Sequence, residues 1–230
     1  MAEGLSILMP VYNERATVER AIEDALGAEL PVDRRQLVLV DDGSTDGTRE
    51  LLGEMTLPEN VTLVLHERNL GKGAAVRTAL EHASEEFAAV LDADLEYRAA
   101  DLADVIQPLL NRETNVVFGT RAWAAHTAYS YWYVVGNKAV TFATNVLYNC
   151  FISDVMTCHK AMRTDIFRSL PLTERGFGIE PEIAARVIRS GEQVYEVPIT
   201  YRARSRNAGK KLTALDGLRV LRTLVRCRVS

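Results

Sequence analysis

The stretch VLDADLE, residues 90–96, brings two carboxylates, one residue apart, to the end of a short apolar run. That run, Phe87–Leu91, predicts a buried strand because it is apolar, compact and preceded by polar residues. Residues i and i+2 of an extended chain share a face, so Asp92 and Asp94 can bind one hard cation at the carboxyl edge of a sheet. Glu96 has the same parity and could add a third oxygen if the backbone stays extended. The stretch therefore predicts a metal site at the edge of an α/β sheet.

Apolar runs and helical spacings alternate through the first half of the chain. Such alternation predicts an α/β fold in which a mostly parallel sheet is flanked by helices on both faces. At 230 residues, 47% of them hydrophobic, the chain suits one domain with a sizeable core. The predicted strands lie at residues 5–11, 37–40, 61–65, 87–91 and 116–118, and the predicted helices at residues 16–26, 48–52, 73–83 and 101–110.

The charge of the chain excludes one class of function and suggests another. A formal net charge of -4 argues against a general nucleic-acid-binding protein, because non-specific binding needs clustered Lys and Arg. Residues 202–228 nevertheless contain nine Lys and Arg residues and one acid, Asp216. A basic segment on an acidic protein predicts contact with an anionic ligand or with a membrane surface.

The cysteines and the N-terminal sequence predict a cytoplasmic protein. Cys150, Cys158 and Cys227 have no metal-ligand spacing, and an odd number of cysteines without a signal peptide indicates reduced thiols. Residues 1–4 have neither the basic nor the apolar region of such a signal. No uninterrupted apolar run approaches the roughly 20 residues of a membrane-spanning helix, so any membrane contact would be peripheral.

Two segments of the second half have two possible interpretations. Residues 123–133 are rich in Trp and Tyr and precede an apolar, helical stretch at 139–152, while Leu212–Val225 has leucines on one helical face. Both helices could pack their apolar faces in the core. Alternatively, each could offer apolar and aromatic side chains to a lipid interface, with neighbouring Lys and Arg residues contacting anionic headgroups. The sequence leaves both interpretations open.

Three further strand ends carry polar motifs. PVYNE (10–14) ends the first predicted strand, VDDGSTDGT (40–48) ends the second, and NLGKG (69–73) follows the third and opens a helix. Each motif alone is explained by caps and tight turns, although Lys72 and the adjacent backbone N–H groups could also approach an anion at a helix N-terminus. Together with the two aspartates of the opening stretch, they place acids and amides along one sheet edge. This combination predicts a nucleotide site with a metal.

In this order the motifs resemble those of family 2 glycosyltransferases, which have the Rossmann-like GT-A fold. Later segments resemble the branch of that family formed by polyprenyl-phosphate sugar synthases, such as dolichol-phosphate mannosyltransferases. These segments are DVMTCHK (154–160), GFGIEPE (176–182), EVPITY (196–201) and the basic residues 204–211. The resemblance implies a single GT-A domain, residues 1–230, with a nucleotide-sugar-binding half at 1–121 and an acceptor-binding half at 122–230.

The resemblance also implies a metal-dependent, inverting transfer of a sugar. The donor would be GDP-mannose or a UDP-sugar, the acceptor a polyprenyl phosphate, and the cofactor Mg²⁺ or Mn²⁺. Two alternatives stay open: a glycosyltransferase acting on a soluble small molecule or a peptide, and a nucleotide-sugar-binding protein without catalysis. The protein would act in the cytoplasm, with attachment to the cytoplasmic face of a membrane as a further expectation.

Individual residues receive roles from the same resemblance. Asp42 would reach the base or ribose, and Arg121 would contact phosphate. Asp154 and Glu180 would face the sugar, whereas His159 would only pack. The implied substrate-binding residues are Pro10, Tyr12, Glu14, Asp41, Asp42, Lys72, Asp92, Ala93, Arg204, Arg206 and Lys210. The implied catalytic residues are Asp94, Arg121, Asp154 and Glu180, and the implied metal ligands are Asp92, Asp94 and Glu96, the last standing where relatives often carry Gln.

Overall fold

The computed structural model describes residues 3–122, 126–127, 131–203 and 214–229. Its strands are β1 (Gly4–Val11), β2 (Arg34–Asp41), β3 (Val61–Leu65), β4 (Phe87–Val90), β5 (Val116–Thr120), β6 (His126–Thr127), β7 (Lys160–Arg163), β8 (Val194–Pro198) and β9 (Tyr201–Arg202). Its helices are α1 (Val18–Gly27), α2 (Thr48–Glu54), α3 (Lys72–His82), α4 (Leu102–Leu110), α5 (Tyr131–Tyr148), α6 (Thr164–Ser169), α7 (Ile179–Arg189) and α8 (Ala214–Val229), with a short 3-10 helix, Ala99–Asp101, before α4.

Seven of the described strands form one sheet in the order β3-β2-β1-β4-β7-β5-β8. All neighbours pair in parallel except β7, which runs antiparallel to both β4 and β5. Strands β6 and β9 pair separately as a two-stranded parallel sheet. The prediction of a mostly parallel α/β sheet is confirmed. Strand β7 is missing from the prediction because its four residues, KAMR, are too few to show an alternating pattern.

Two hydrophobic cores lie on the two faces of this sheet. Alternate residues of β1 belong to different cores, since Leu8 packs in one and Ile7 and Met9 pack in the other. Residues of α1 and α4 cover the face of Ile7, and residues of α3, α5, α7 and α8 cover the face of Leu8. Every residue of β4 is buried, so the chain leaves the core only at the carboxyl end of this strand.

The loops after β1 and β2 are bonded to each other. Asn13 N donates to Ser44 Oγ (2.9 Å), and Asn13 Oδ1 accepts from Thr45 N (2.8 Å). Asn13 has a φ of 53°, a left-handed conformation that asparagine adopts more readily than most residues. These bonds fix the loop in which Asn13 stands between Tyr12 and Glu14.

Helix α8 packs against α5 and α7 through one of its faces. Val220, Leu224 and Cys227 are buried there, and the Tyr148 hydroxyl of α5 donates to the Leu224 carbonyl oxygen (2.6 Å). Core packing is therefore confirmed for the described part of the predicted helix 212–225, whereas Leu212 lies outside the described residues. A second row of apolar residues on α8 is exposed and consists of Leu221, Val225 and Val229.

Helix α5 begins at Tyr131, earlier than the predicted start at residue 139. Much of the aromatic segment before it, including Trp123 and Tyr129, lies outside the described residues. Within the described ranges, no helix combines the length and the apolar character needed to cross a bilayer.

Candidate active site

A cavity of about 510 Å³ opens at the carboxyl edge of the sheet. It is bounded by residues that follow β1, β2, β3, β4 and β5 and by the start of α7, at the usual ligand edge of such sheets. The predicted convergence of these strand ends is confirmed, while what each residue binds stays a prediction. The predicted residues that line the cavity are Pro10, Tyr12, Glu14, Asp42, Lys72, Asp92, Ala93, Asp94, Glu96, Arg121 and Glu180.

Asp41 is not one of the described residues that line this cavity, which corrects its prediction as a substrate-binding residue. Successive side chains at a strand end point to opposite faces, so Asp41 and Asp42 are not expected to face the same ligand. Asp41 is fully buried, its Oδ2 lies 2.8 Å from Arg49 Nη2, and Ser44 N donates to the same carboxylate. Asp41 therefore fixes the turn between β2 and α2.

Asp42 lines the cavity and is also bonded to the loop before α3. Its Oδ1 accepts from Leu70 N (2.9 Å) and lies 2.8 Å from His66 Nδ1, and its Oδ2 accepts from Gly71 N (2.8 Å). Asp42 thus joins the end of β2 to the loop that carries Lys72. Contact between Asp42 and a base or ribose stays a prediction.

The N-terminus of α3 is packed against the chain segment before α7. Gly73 N donates to the carbonyl oxygen of Arg175 (2.7 Å), and Ala74 N approaches the same atom (3.3 Å). Gly71 has a φ of +97°, and a Cβ atom there would clash with that oxygen, so glycine is required. Gly73 N and Ala74 N therefore already have a protein carbonyl group as partner, which favours the tight-turn interpretation of this motif over an approach of these two N–H groups to an anion.

The Lys72 side chain lies in the cavity between two carboxylates. Its Nζ is 2.7 Å from Asp92 Oδ2, 2.5 Å from Glu180 Oε1 and 3.1 Å from Cys158 Sγ. Burial alone would lower the pKa of Lys72, but the neighbouring negative charges, above all Asp92, raise this pKa well above its ordinary value. Burial would likewise raise the pKa of Asp92, yet Lys72 holds it below its ordinary value. Lys72 is therefore a permanent positive charge at the ligand edge.

The chain turns just after Asp92, so the backbone does not stay extended up to Glu96. Asp94 Oδ1 accepts from Glu96 N (3.0 Å), and Leu95 has a φ of 57°, which is uncommon for a residue of this kind. Glu96 Oε2 accepts from the Tyr201 hydroxyl (2.7 Å). The prediction of Glu96 as a third metal ligand required an extended backbone from Asp92 to Glu96. The turn shows that this requirement is not met.

Asp92 and Asp94 are the remaining candidate metal ligands. Among the described residues, no three His, Cys, Asp or Glu side chains converge as a complete metal-binding group. Two carboxylates nevertheless match the hard oxygen donors that Mg²⁺ and Mn²⁺ prefer, and Mg²⁺ commonly takes its other ligands from water and substrate phosphates. The pair fits a divalent cation that shares its coordination with a phosphate ligand.

Arg121 lines the cavity and is held in place by Asp154. Arg121 Nε is 2.6 Å from Asp154 Oδ2 and Nη2 is 2.8 Å from Oδ1, while Asn137 Nδ2 donates to the same carboxylate (3.1 Å). Burial would raise the pKa of Asp154, but the Arg121 guanidinium holds it below its ordinary value. Asp154 is buried and is not among the described residues that line the cavity. This corrects its prediction as a catalytic residue facing the sugar, because its carboxylate positions Arg121 instead.

The loop that carries Asp154 is fixed by residues of three strands. Glu196 of β8 accepts from Ser153 N (2.9 Å), and Ser153 Oγ lies 2.6 Å from Thr120 Oγ1 at the end of β5. Lys160 of β7 is almost fully buried and donates to backbone carbonyl groups of the same loop. Burial lowers the pKa of Lys160 to about 8. The direction of Arg121 therefore depends on a chain of buried and partly buried polar contacts that hold the loop of Asp154.

An aromatic wall that the sequence did not predict completes the site. Tyr97 and Tyr201 line the cavity with ring centroids 5.2 Å apart, and Arg121 Cζ lies 4.9 Å from the Tyr201 ring centroid. His159 contacts Tyr97 with ring centroids 4.9 Å apart. It is fully buried, and burial lowers its pKa to about 4, so it stays neutral near pH 7. This burial and ring contact support the prediction that His159 is a packing residue.

Three of the predicted phosphate-binding residues lie outside the described part of the chain, and several residues that line the cavity were not predicted. Arg204, Arg206 and Lys210 lie outside the described residues, so their contact with phosphate stays a prediction. The lining residues that were not singled out include Met156, Cys158, Gly176 and Phe177. These four belong to the motifs 154–160 and 176–182, which marked the right segments without identifying the individual contacts.

The fold is similar to that of glucosyl-3-phosphoglycerate synthase from Mycobacterium tuberculosis, whose crystal structure contains Mn²⁺, UDP and glucosyl-3-phosphoglycerate. The TM-score is 0.74 at 19% sequence identity, and the match covers 99% of this chain and 80% of the synthase. This likeness confirms the predicted GT-A fold.

Two relatives are more similar in sequence. Glycosyltransferase AglJ from Haloferax volcanii is 30% identical, over 86% of this chain and 63% of its own length. A dodecaprenyl-phosphate galacturonate synthase from Rhizobium johnstonii is 26% identical, over 90% of this chain and 61% of its own length. The chain thus spans about three fifths of the length of these relatives. Residues 6–170, most of the chain, match the family model of glycosyl transferase family 2, and the chain therefore belongs to this family.

Proposed function

We propose that the protein transfers a sugar from GDP-mannose or a UDP-sugar to a polyprenyl phosphate, with Mg²⁺ or Mn²⁺ as cofactor and inversion at the anomeric carbon. The observation that carries this proposal is the convergence of Asp92, Asp94, Lys72, Arg121 and Glu180 on one cavity of about 510 Å³. Cavities of this size commonly enclose small-molecule ligands and cofactors. Membership of family 2 supports the reaction class, and the relative named as a dodecaprenyl-phosphate galacturonate synthase supports the acceptor class.

On the donor side, Pro10, Tyr12 and Glu14 would hold the nucleoside, since they line the cavity after β1. Asp92 and Asp94 would hold Mg²⁺ or Mn²⁺ against the diphosphate. The metal, when bound, offsets the negative charge of the departing nucleoside diphosphate. The protein contributes rigidity, because β4 is buried along its whole length and a backbone hydrogen bond holds Asp94.

On the acceptor side, the main requirement is alignment, because a lipid phosphate is already anionic near neutral pH. Arg121 offers a guanidinium whose direction is fixed by Asp154, and such groups suit phosphate oxygens. Glu180 Oε2 is buried, and no described residue donates a hydrogen bond to it, which fits a sugar hydroxyl as its donor. Further phosphate contacts are proposed for Arg204, Arg206 and Lys210.

A polyprenyl acceptor is anchored in a membrane, and we propose that the protein binds the cytoplasmic surface of that membrane. Helices α5 and α8, which pack side by side, and the segment that directly follows α5 expose large apolar side chains, 53% to 85% accessible, next to basic residues. Such surfaces are typical of proteins that bind anionic lipid. The exposed apolar residues are Phe142, Val146, Phe151, Val225 and Val229, and the exposed basic residues are Lys138, Arg222 and Arg228.

Vesicle co-sedimentation tests this surface. Binding that requires anionic lipid and weakens as salt is added would support it, since screening acts on exposed charges. Absence of binding at low salt, together with efficient transfer to a water-soluble acceptor, would favour the soluble-acceptor alternative.

Transfer assays test donor, acceptor and metal together. The protein is incubated with GDP-mannose or UDP-sugars, a short polyprenyl phosphate in detergent, and either Mn²⁺ or EDTA. We expect lipid-linked sugar only when metal is present, and an activity loss of about 100-fold or more in Asp94→Asn. The matched control Asp104→Asn, on the exposed face of α4, should keep full activity. Full activity of Asp94→Asn would contradict the metal site, and donor binding without turnover of any sugar would contradict an enzyme.

A further inference from the structure

Lys72 already neutralises the carboxylate to which the metal is assigned. Its ammonium lies 2.7 Å from Asp92 Oδ2 and 2.5 Å from Glu180 Oε1. The side chains of Lys72, Asp92 and Glu180 are 12%, 16% and 6% exposed, respectively. Water and salt therefore screen these contacts much less than those of a surface ion pair. Any cation that binds Asp92 has to compete with a lysine in place.

We propose that Lys72 is a displaceable counter-ion of the metal site, so that a divalent cation binds tightly only together with a nucleoside diphosphate that draws the ammonium away from Asp92. The inference rests on the proposed function, which assigns the metal to Asp92 and Asp94. A divalent cation and an ammonium that both contact one partly buried carboxylate repel each other strongly. A diphosphate relieves this conflict, because its oxygens accept hydrogen bonds from Lys72 and also coordinate the metal.

The side chain of Lys72 can move although its backbone is fixed. Gly71 and Gly73 are packed so closely on carbonyl groups before α7 that a Cβ atom at either position would clash. The lysine side chain itself has a flexible four-carbon stem and three hydrogen-bond donors. Lys72 can therefore release Asp92 while keeping its contact with Glu180, which would act as its anchor during the exchange.

Coupled binding of metal and nucleotide follows from this arrangement. By thermodynamic linkage, each ligand raises the affinity for the other by the same factor. The protein alone would bind Mn²⁺ weakly, and the protein with UDP or GDP would bind it tightly. Removing the positive charge of Lys72 should abolish most of this difference, because Asp92 would then be available before the nucleotide arrives.

Mn²⁺ binding without nucleotide is the decisive measurement. The full chain is titrated with Mn²⁺ while the free ion is followed by electron paramagnetic resonance, for wild type, Lys72→Met, Lys72→Arg and the matched control Lys138→Met. Lys138 is exposed on α5 and is not among the cavity residues in the described part of the chain. We expect Lys72→Met to bind Mn²⁺ about tenfold more tightly than wild type, or ~1.4 kcal/mol, and the other two variants to match wild type.

A second series adds UDP or GDP and follows water-proton relaxation, which distinguishes protein-bound Mn²⁺ from the small Mn²⁺–nucleotide complex. The nucleotide should raise the Mn²⁺ affinity of wild type more than that of Lys72→Met. Melting temperatures are measured first, because losing Lys72 leaves the buried carboxylate of Glu180 and the partly buried carboxylate of Asp92 without their counter-ion. If Lys72→Met does not fold, Lys72→Gln, which keeps a hydrogen-bond donor, takes its place.

Two negative results have different meanings. If Lys72→Met binds Mn²⁺ no more tightly than wild type, while wild type binds Mn²⁺ with nucleotide, the counter-ion role is overturned and the proposed function stands. If wild type binds no Mn²⁺ even with UDP or GDP, the metal assignment of the proposed function fails, and the counter-ion role fails with it.

Discussion

Replacing Asp154 by Asn should destabilise the protein and misdirect Arg121. The two side chains are 3% and 19% exposed, and their N···O contacts are 2.6 and 2.8 Å long. Asparagine keeps the shape of the side chain and one acceptor oxygen but removes the negative charge. The largely enclosed guanidinium of Arg121 would then lack its counter-ion, so both the free energy of unfolding and the rate of transfer should fall.

The size of the stability loss can be estimated from the burial of the pair. Removing one partner of a buried ion pair typically costs about 3–5 kcal/mol. Because Arg121 is about a fifth exposed and asparagine still accepts a hydrogen bond, we expect the lower end, about 3 kcal/mol. For a chain of 230 residues this corresponds to a melting temperature lower by about 6–12 °C.

The effect of this substitution should also depend on pH with a defined sign. The folded-state pKa of Asp154 lies below the ordinary value of 3.8, so the unfolded state binds the proton more readily. The contribution of the pair is therefore complete above the ordinary pKa and is lost as the pH falls through the folded-state pKa. The difference in stability between wild type and Asp154→Asn should be full at pH 7 and should shrink below pH 3.8.

Thermal unfolding followed by circular dichroism measures this difference. The matched control is Asp165→Asn, which removes a surface ion pair with Arg163 in which Asp165 is 64% exposed. Surface pairs contribute about 0–1 kcal/mol, so the control should melt within a few degrees of wild type. An Asp154→Asn protein that melts within about 2 °C of wild type would refute the argument from burial. If Asp154→Asn loses transfer activity but keeps the stability of wild type, Asp154 would instead act directly in catalysis.

Three further changes test other parts of the molecule. His159→Phe should keep the ring packing and remove two buried nitrogens that have no hydrogen-bond partner among the described residues, raising stability by about 1 kcal/mol. Because the pKa of His159 is lowered from 6.5 to about 4, wild type should lose stability as the pH falls through this range, and the variant should lose less in the same thermal melts. Gly71→Ala should cost about 1–3 kcal/mol through its positive φ and the clash at Cβ, whereas Gly53→Ala, in open space on α2, should not destabilise. Replacing Arg204 and Lys210 by Ala should reduce transfer to polyprenyl phosphate more than it reduces donor binding measured by calorimetry. An equal loss of donor affinity would indicate that both residues contact the donor diphosphate instead of the acceptor phosphate.

The location of the site could be predicted because two sequence signals coincide at each strand end. An apolar run ends, and a polar motif begins at the same place, as at Asp92. Parallel strands bring such ends to one edge, so Tyr12 and Lys72 could be expected there from pattern alone. Arg121 and Glu180 have no comparable local pattern, and they were identified only through the resemblance to a family.

The partners of the acids could not be predicted, because they depend on packing in three dimensions. Asp41 stands at the end of β2 and Asp154 in the loop before β7, yet each is bound by an arginine, eight residues away in one case and 33 in the other. Spacing alone does not distinguish an aspartate that faces a ligand from one that holds an arginine. Glu96 was misjudged for a local reason, since nothing in the apolar residue Leu95 indicates that it adopts a left-handed conformation.

The reversed strand β7 has a consequence for how the chain can assemble during synthesis. It lies between β4 and β5 although it follows both in sequence, so β5 has no neighbour in the sheet until residues 160–163 have been made, and its second neighbour is completed only by residues 194–198. Until then the nascent first half presents β4 as an unpaired edge, with the acidic strand end directly beyond it. Late, long-range pairing of this kind is slow and leaves strand edges open to aggregation. A chain that ends at residue 121 would therefore keep β4 with one open edge and β5 without a neighbour, and we expect it to aggregate more readily than the whole chain.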